Sequence, residues 1–366
     1  MSLIIDNIEI YMGPQQLGAP DDLRQVIVNF IDGAQTSLYI AVQELDCRPI
    51  AEAIIRAKKR DVLVKVVLEA DYLVEKTPQQ NPFLSEGENE ANRLLQDAIL
   101  RSSIFVRSDF NPDIFHQKFI IRDNQSLLTG STNFTDTDTS TNLNHIIIVH
   151  NGDVARVYKR EYEEILQGHF GRLNEGHDLT PAEIPVSNVR VKVLFSPDHN
   201  PEMEIMKQIA KARNRVDFAI FTFASSSGID DQLILARNSG IAVRGAMFTS
   251  QANQAWSAAS ELENAGVSLF FVPRPGLPEP KPRKLHHKLM VIDEQLIIAG
   301  SFNYTGQANQ LNDENIIILG DLDTPGTDLD SINLYLCSCG LIASTVATRA
   351  CSNRKRYMPC AEMGMS

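Results

Sequence analysis

Apolar residues in this chain follow a succession of helical and strand-like runs, and the succession occurs twice. Residues 21–33 put Leu23, Val26, Ile27, Phe30 and Ile31 on one side of a predicted helix. Residues 37–42, SLYIAV, are apolar after the first position and predict a buried strand. A helix over 49–59 and a strand over 62–68 follow. The same order returns at 202–213, 216–221, 230–238 and 241–248. Strands at 8–12 and 191–195 open the two halves, with Pro14 and Pro197 close behind, and strands at 142–149 and 312–319 close them. Alternating strands and helices predict an α/β fold, a mixed sheet flanked by helices in each half.

The halves differ between these shared elements. Residues 76–96 are polar and become helical only near NEANRLLQ, whereas 251–265 read as helix throughout. A helix over 153–167 has no equivalent in the second half. The organisation predicted is a first repeat over 1–171, a linker over 172–188, a second repeat over 189–320 and a divergent tail over 321–366.

The strongest repetition carries chemistry. Residues 115–133 read FHQKFIIRDNQSLLTGSTN, and 285–303 read LHHKLMVIDEQLIIAGSFN. His116, Lys118, Asp123, Gly130, Ser131 and Asn133 recur 170 positions on as His286, Lys288, Asp293, Gly300, Ser301 and Asn303. Six shared positions in one register are a repeat rather than a coincidence. Each segment predicts a hairpin. A turn centred on residues 124 and 125 would set His116 across from Asn133 and Lys118 across from Ser131 on one face. The same register in the second copy pairs His286 with Asn303 and Lys288 with Ser301. Each hairpin then offers an imidazole, an ammonium, a hydroxyl and an amide, which is half of a phosphate pocket. Two halves face to face would place a histidine on either side of a phosphorus, one to attack and one to protonate the leaving oxygen.

This duplicated HxK-x4-D with a following GSxN resembles the phospholipase D superfamily, most nearly its bacterial nuclease-like branch. The resemblance covers roughly residues 1–320. It implies two pseudo-twofold-related repeats with the active site at their interface. It also implies a two-step, metal-independent phosphodiester reaction through a phosphohistidine. One chain holds both half-sites, so a monomer suffices. The family places a carboxylate eleven residues after the motif asparagine; here that is Glu314 in the second copy but Asn144 in the first. If each partner serves the histidine of its own repeat, Glu314 keeps His286 protonated as the general acid. Asn144 then leaves His116 neutral as the nucleophile.

Net charge is −12 and pI about 5.2, which counts against a broad nucleic-acid footprint. A local basic rim remains open: Arg274, Lys281, Arg283 and Lys284 stand just before His286 in a proline-rich segment. Cys337, Cys339, Cys351 and Cys360 lack a standard zinc spacing, so neither metal nor other cofactor is expected. His145, His150, His169, His177, His199 and His287 have no motif partner and are expected to be structural or exposed. With no basic leader and no apolar run long enough to cross a bilayer, a cytoplasmic location is expected. The first substrate reading is DNA or RNA. The alternatives are phospholipid, cleaved or transferred, and an inactive nucleic-acid-binding scaffold.

Overall fold

The computed structural model describes residues 3–174, 179–273 and 279–323. Ser37–Val42 is buried along its whole length, which is why its sequence shows no polar alternation. It lies inside a nine-stranded sheet, parallel to Leu63–Glu69 and antiparallel to Lys118–Arg122. The order across that sheet is Leu3–Ile5, Ile8–Gly13, Asn142–Val149, Ser126–Gly130, Lys118–Arg122, Ser37–Val42, Leu63–Glu69, Phe105–Asp109. The second sheet runs Ile184–Val186, Val189–Ser196, Glu314–Gly320, Leu296–Gly300, Lys288–Ile292, Arg215–Ile220, Ala242–Phe248, Ser268–Val272. The two orders correspond strand for strand. The ninth strand of the first sheet comes from the second half: Lys284–Leu285 pairs in parallel with Asn142 and Leu143.

A shared core joins the sheets. Phe119, Ile121, Leu127 and Ile147 of the first meet Val191, Phe195, Val291 and Ile317 of the second. The helix Gly152–Gln167 adds Tyr158 and Tyr162 to this cluster. Two further clusters fill the outer faces, under Leu23–Asp32 and Arg48–Lys59 in one half and Pro201–Ala210 and Ile229–Asn238 in the other. Burial on both faces fixes each sheet in one register, because a slip of one residue would turn apolar side chains away from their cluster.

The structure departs from the sequence pattern in several places. Phe105–Asp109 and Ser268–Val272 are additional edge strands; short and only partly buried, they have no distinctive period. The expected helix over 251–265 is two short helices, Thr249–Ala252 and Ala259–Asn264. Between them the backbone is captured by the neighbouring loop: Ser225 N donates to Trp256 O at 3.0 Å, and Ala258 N to Phe223 O at 3.1 Å. The interval 172–188 is more than a linker, since Ile184–Val186 forms the edge of the second sheet. The tail from 324 on, with its four cysteines, lies outside the described residues, as do Arg274 and His177. Among the described residues no helix is long and apolar enough to cross a membrane.

Candidate active site

Both motifs form hairpins, but one residue away from the expected register. Phe119 pairs with Thr129 and Leu289 with Ala299, so Lys118 does not face Ser131, nor Lys288 Ser301. The turns explain the shift. Asp123 and Asn124 have φ of 55° and 52°, Asp293 and Glu294 of 52° and 59°, and three residues rather than two bridge the strands. Asp and Asn tolerate this left-handed geometry. Each aspartate is also held from outside. Asp123 accepts from the amides of Gln35, Thr36 and Ser37 at 2.7–3.1 Å. Asp293 accepts from those of Arg213, Asn214 and Arg215 at 2.6–2.7 Å. Partial burial pushes the Asp123 carboxyl up, but these donors outweigh it and hold it below the usual range. The motif aspartates are turn anchors, outside the pocket wall.

Gly130 and Gly300 end the returning strands at φ of 152° and 146°. A Cβ there would stand 2.3 Å from His145 O and 2.2 Å from Asn315 O. That close approach lets Ser131 N and Ser301 N bond those same carbonyls, at 3.1 and 3.0 Å. The serine hydroxyls therefore point into the layer behind the site. Ser131 Oγ donates to Asn144 Oδ1 at 2.8 Å and Ser301 Oγ to Glu314 Oε2 at 2.5 Å. The expectation that they would face a phosphate is corrected accordingly.

The partners of the histidines are crossed between repeats. His116 Nδ1 lies 2.7 Å from Glu314 Oε2, and His286 Nδ1 lies 3.0 Å from Asn144 Oδ1. Glu314 thus serves His116, and Asn144 serves His286, the reverse of the pairing expected from the spacing. Backbone hydrogen bonds between the halves enforce this. His116 N donates to Asp313 O and His286 N to Leu143 O, both at 2.9 Å. Each histidine is tied to the residue preceding the other repeat's partner. The intervening residues cross as well. Gln117 Oε1 accepts from Asn315 Nδ2 at 2.6 Å. His287 stacks on His145 with Nδ1 atoms 3.2 Å apart. Burial pushes both of those rings down, His287 to about 3, so they form a neutral structural pair.

His116 and His286 line one cavity of about 320 Å³. Gln43, Glu44, Tyr72, Asn133 and Asp138 line it from the first half; Phe221, Thr222, Lys284, Asn303 and Asn312 line it from the second. With Nδ1 of each histidine engaged, Nε2 is the nitrogen left for a substrate. Lys118 and Lys288 lie beneath and are almost fully buried. Lys118 Nζ donates to His116 O at 2.7 Å and to Gln43 Oε1 at 3.0 Å; Lys288 Nζ donates to His286 O at 2.9 Å.

Burial dominates the electrostatics. It pushes Lys118 down to about 7 and Lys288 well below its ordinary range. It also pushes both motif histidines down, helped by the two lysine side chains. Glu314 rises to about 8 through burial, against the pull of Lys118. A phosphodiester anion brought between the histidines would offset the lysines and favour imidazolium again.

Of the four cations expected at the mouth, Lys284 lines the cavity, with Nζ 5.4 Å from the Phe221 ring centroid. Lys281 is exposed and paired with Glu279, Arg283 is exposed, and Arg274 lies outside the described residues. Sequence reasoning missed Gln43, Glu44, Tyr72 and Asp138, which follow strands or sit in a short helix without motif spacing. Burial raises Glu44 to about 7, with Asp138 and Asp46 adding to it.

The family model described as cardiolipin synthase, PLD-like domain, matches residues 27–166 and 205–324. A mitochondrial cardiolipin hydrolase of Xenopus tropicalis is 30% identical over 134 residues, which is 37% of this chain and 56% of that protein. A phospholipase D of Rickettsia conorii is 31% identical over 136 residues, 37% of this chain and 64% of that protein. The chain thus spans little more than half the length of these curated relatives. The crystal structure of phosphatidylserine synthase from Haemophilus influenzae superposes with a TM-score of 0.65 at 13% identity, covering 95% of this chain and 87% of that one.

Proposed function

We propose, from the premise that this chain belongs to the phospholipase D superfamily, that it cleaves or transfers the phosphodiester of a phospholipid through a phosphohistidine. The observation that carries this reading is the cavity in which His116 and His286 meet, each with Nδ1 engaged by the opposite repeat.

A nucleophile and an acid need different resting states. Glu314, whose carboxyl burial raises to about 8, stands 2.7 Å from His116 Nδ1, so the two share a proton and His116 is the side of the site that can give one up. Asn144 accepts from Nδ1–H of His286 and leaves its Nε2 lone pair free. His286 Nε2 therefore attacks phosphorus while His116 gives its proton to the departing alkoxide. In the second step His116 takes a proton from water or an acceptor alcohol, which attacks phosphorus and breaks the Nε2–P bond. The side-chain amides of Asn133 and Asn303, with the positive potential of Lys118 and Lys288, stabilise charge on the non-bridging oxygens. This reverses the roles that same-repeat pairing would have given.

Phospholipid is favoured over nucleic acid by the named activities of the relatives and by the cavity wall. Glu44 and Asp138 on one side, and Lys284 alone of the three described rim cations, do not form a track for a polyanion. The test is incubation in EDTA with vesicles of phosphatidylcholine, phosphatidylglycerol or cardiolipin, and separately with single- and double-stranded DNA and RNA. Release of headgroup and phosphatidic acid is expected. Cleavage of nucleic acid with no lipid turnover would replace the substrate but not the mechanism. Turnover that requires added divalent metal would remove the mechanism.

A further inference from the structure

We infer that Asp138 is a positioning residue that supplies His286 with the carboxylate missing at Asn144. The inference rests on the reading of His286 as a participant in phosphoryl transfer. Asp138 is buried, and its Oδ2 stands 3.4 Å from His286 Nδ1. The same oxygen accepts from Asn133 N at 2.8 Å, and Oδ1 accepts from Asn142 Nδ2. Its backbone is fixed too: Asp138 N donates to Thr135 Oγ1 at 3.1 Å, and Asn144 Nδ2 donates to Asp138 O at 3.1 Å.

The second repeat builds the same backbone without the charge. There the short helix Gly306–Gln310 is capped alike, Ala308 N donating to Thr305 Oγ1 at 3.0 Å. Ala308 stands where the first repeat has Asp138, and Glu314 where it has Asn144. Each histidine thus keeps one carboxylate near Nδ1, delivered from a strand for His116 and from a short helix for His286. The chemistry gives this a purpose. When Nε2 bonds phosphorus, the ring becomes cationic and its Nδ1–H more acidic. Asn144 can accept that hydrogen but brings no charge, whereas Asp138 opposes the cation directly. Lys288, Lys118, Lys284 and His116 also act on His286 and all lower its proton affinity; Glu44 and Tyr72 line the same cavity, and burial raises the Glu44 carboxyl to about 7.

Asp138→Asn tests the charge with little change of shape. It keeps an acceptor for the Asn133 amide, and the Asn142 side chain can turn its unpartnered Oδ1 toward the new amide. In the full chain, NMR of the histidine ring nitrogens reads His286 without any substrate. Its titration is expected to move to lower pH in Asp138→Asn and to return when Asn144→Glu is added. On whichever substrate the unmodified chain turns over, kcat is expected to fall about 10- to 100-fold with little change in KM. The acid limb of activity should move to lower pH, and the second substitution should recover at least about tenfold of the loss. An unmoved His286 titration in Asp138→Asn, whatever the rate or melting temperature, overturns the assignment. A chain inactive on every substrate whose His286 titration still moves as described would instead overturn the functional reading alone.

Discussion

The two halves share a sheet order and a motif, yet they surround the cavity differently. After equivalent strands, the first half presents Gln43 and Glu44 where the second presents Phe221 and Thr222. One wall can titrate and accept hydrogen bonds. The other is aromatic, with Phe221 edge-on to His286, ring centroids 5.0 Å apart, and stacked on Phe248. The nearest Nδ1 partners also differ, Glu314 at 2.7 Å from His116 and Asn144 at 3.0 Å from His286, with the Asp138 carboxylate farther off at 3.4 Å. Duplication gave the frame that brings two imidazoles to one cavity. Two coupled imidazoles would share one proton even in identical surroundings; the unlike surroundings here bias which of them holds it.

Breaking each histidine in turn tests that division most severely. His116→Ala and His286→Ala are each expected to lower kcat about 10³-fold or more on a natural ester. With an aryl ester whose leaving group needs no proton, His116→Ala should still accumulate a phosphorylated chain, while His286→Ala should not. Mass spectrometry of the acid-sensitive adduct reads the difference, and a phosphate on His116 would invert the roles.

The crossed partner comes next. Glu314→Gln should reduce kcat about 10- to 100-fold. Loss of its carboxylate lowers the proton affinity of His116, so the alkaline limb of the pH–rate profile should move to lower pH. If that limb stays put and the acid limb moves, Glu314 serves the other histidine.

Where the halves are alike, perturbations should be alike. Gly130→Ala and Gly300→Ala would each force a Cβ to within 2.3 and 2.2 Å of a carbonyl at strained φ. Each is expected to cost roughly 2–4 kcal/mol in denaturant unfolding. A large inequality between them would show that the hairpins are not equivalent scaffolds.

The turn anchors should give the smallest effect. Asp123→Asn and Asp293→Asn are expected to destabilise by about 1–2 kcal/mol each. The Asp123 carboxyl is held below its ordinary range by amide donors. Its contribution is therefore complete above the unfolded-state value and is lost as pH falls through the folded-state value. The stability gap between the parent and Asp123→Asn should close in acid.

Much of this protein was written along the chain. The 170-residue offset identified every motif side chain, and the succession of apolar runs gave the central strands of both sheets and their main helices, because strand and helix periods are local properties. The hairpin register was missed by one residue because it depends on left-handed backbone at Asp123 and Asn124, stabilised by amides of Gln35, Thr36 and Ser37 far back in the sequence. The crossed pairing of Glu314 with His116 could not be read at all. Spacing within a repeat says nothing about which repeat a side chain faces, and that choice was made by backbone hydrogen bonds linking His116 to Asp313 and His286 to Leu143. Glu44 and Asp138 stayed hidden for the same reason: a carboxylate becomes chemically distinctive only when folding buries it beside other charges.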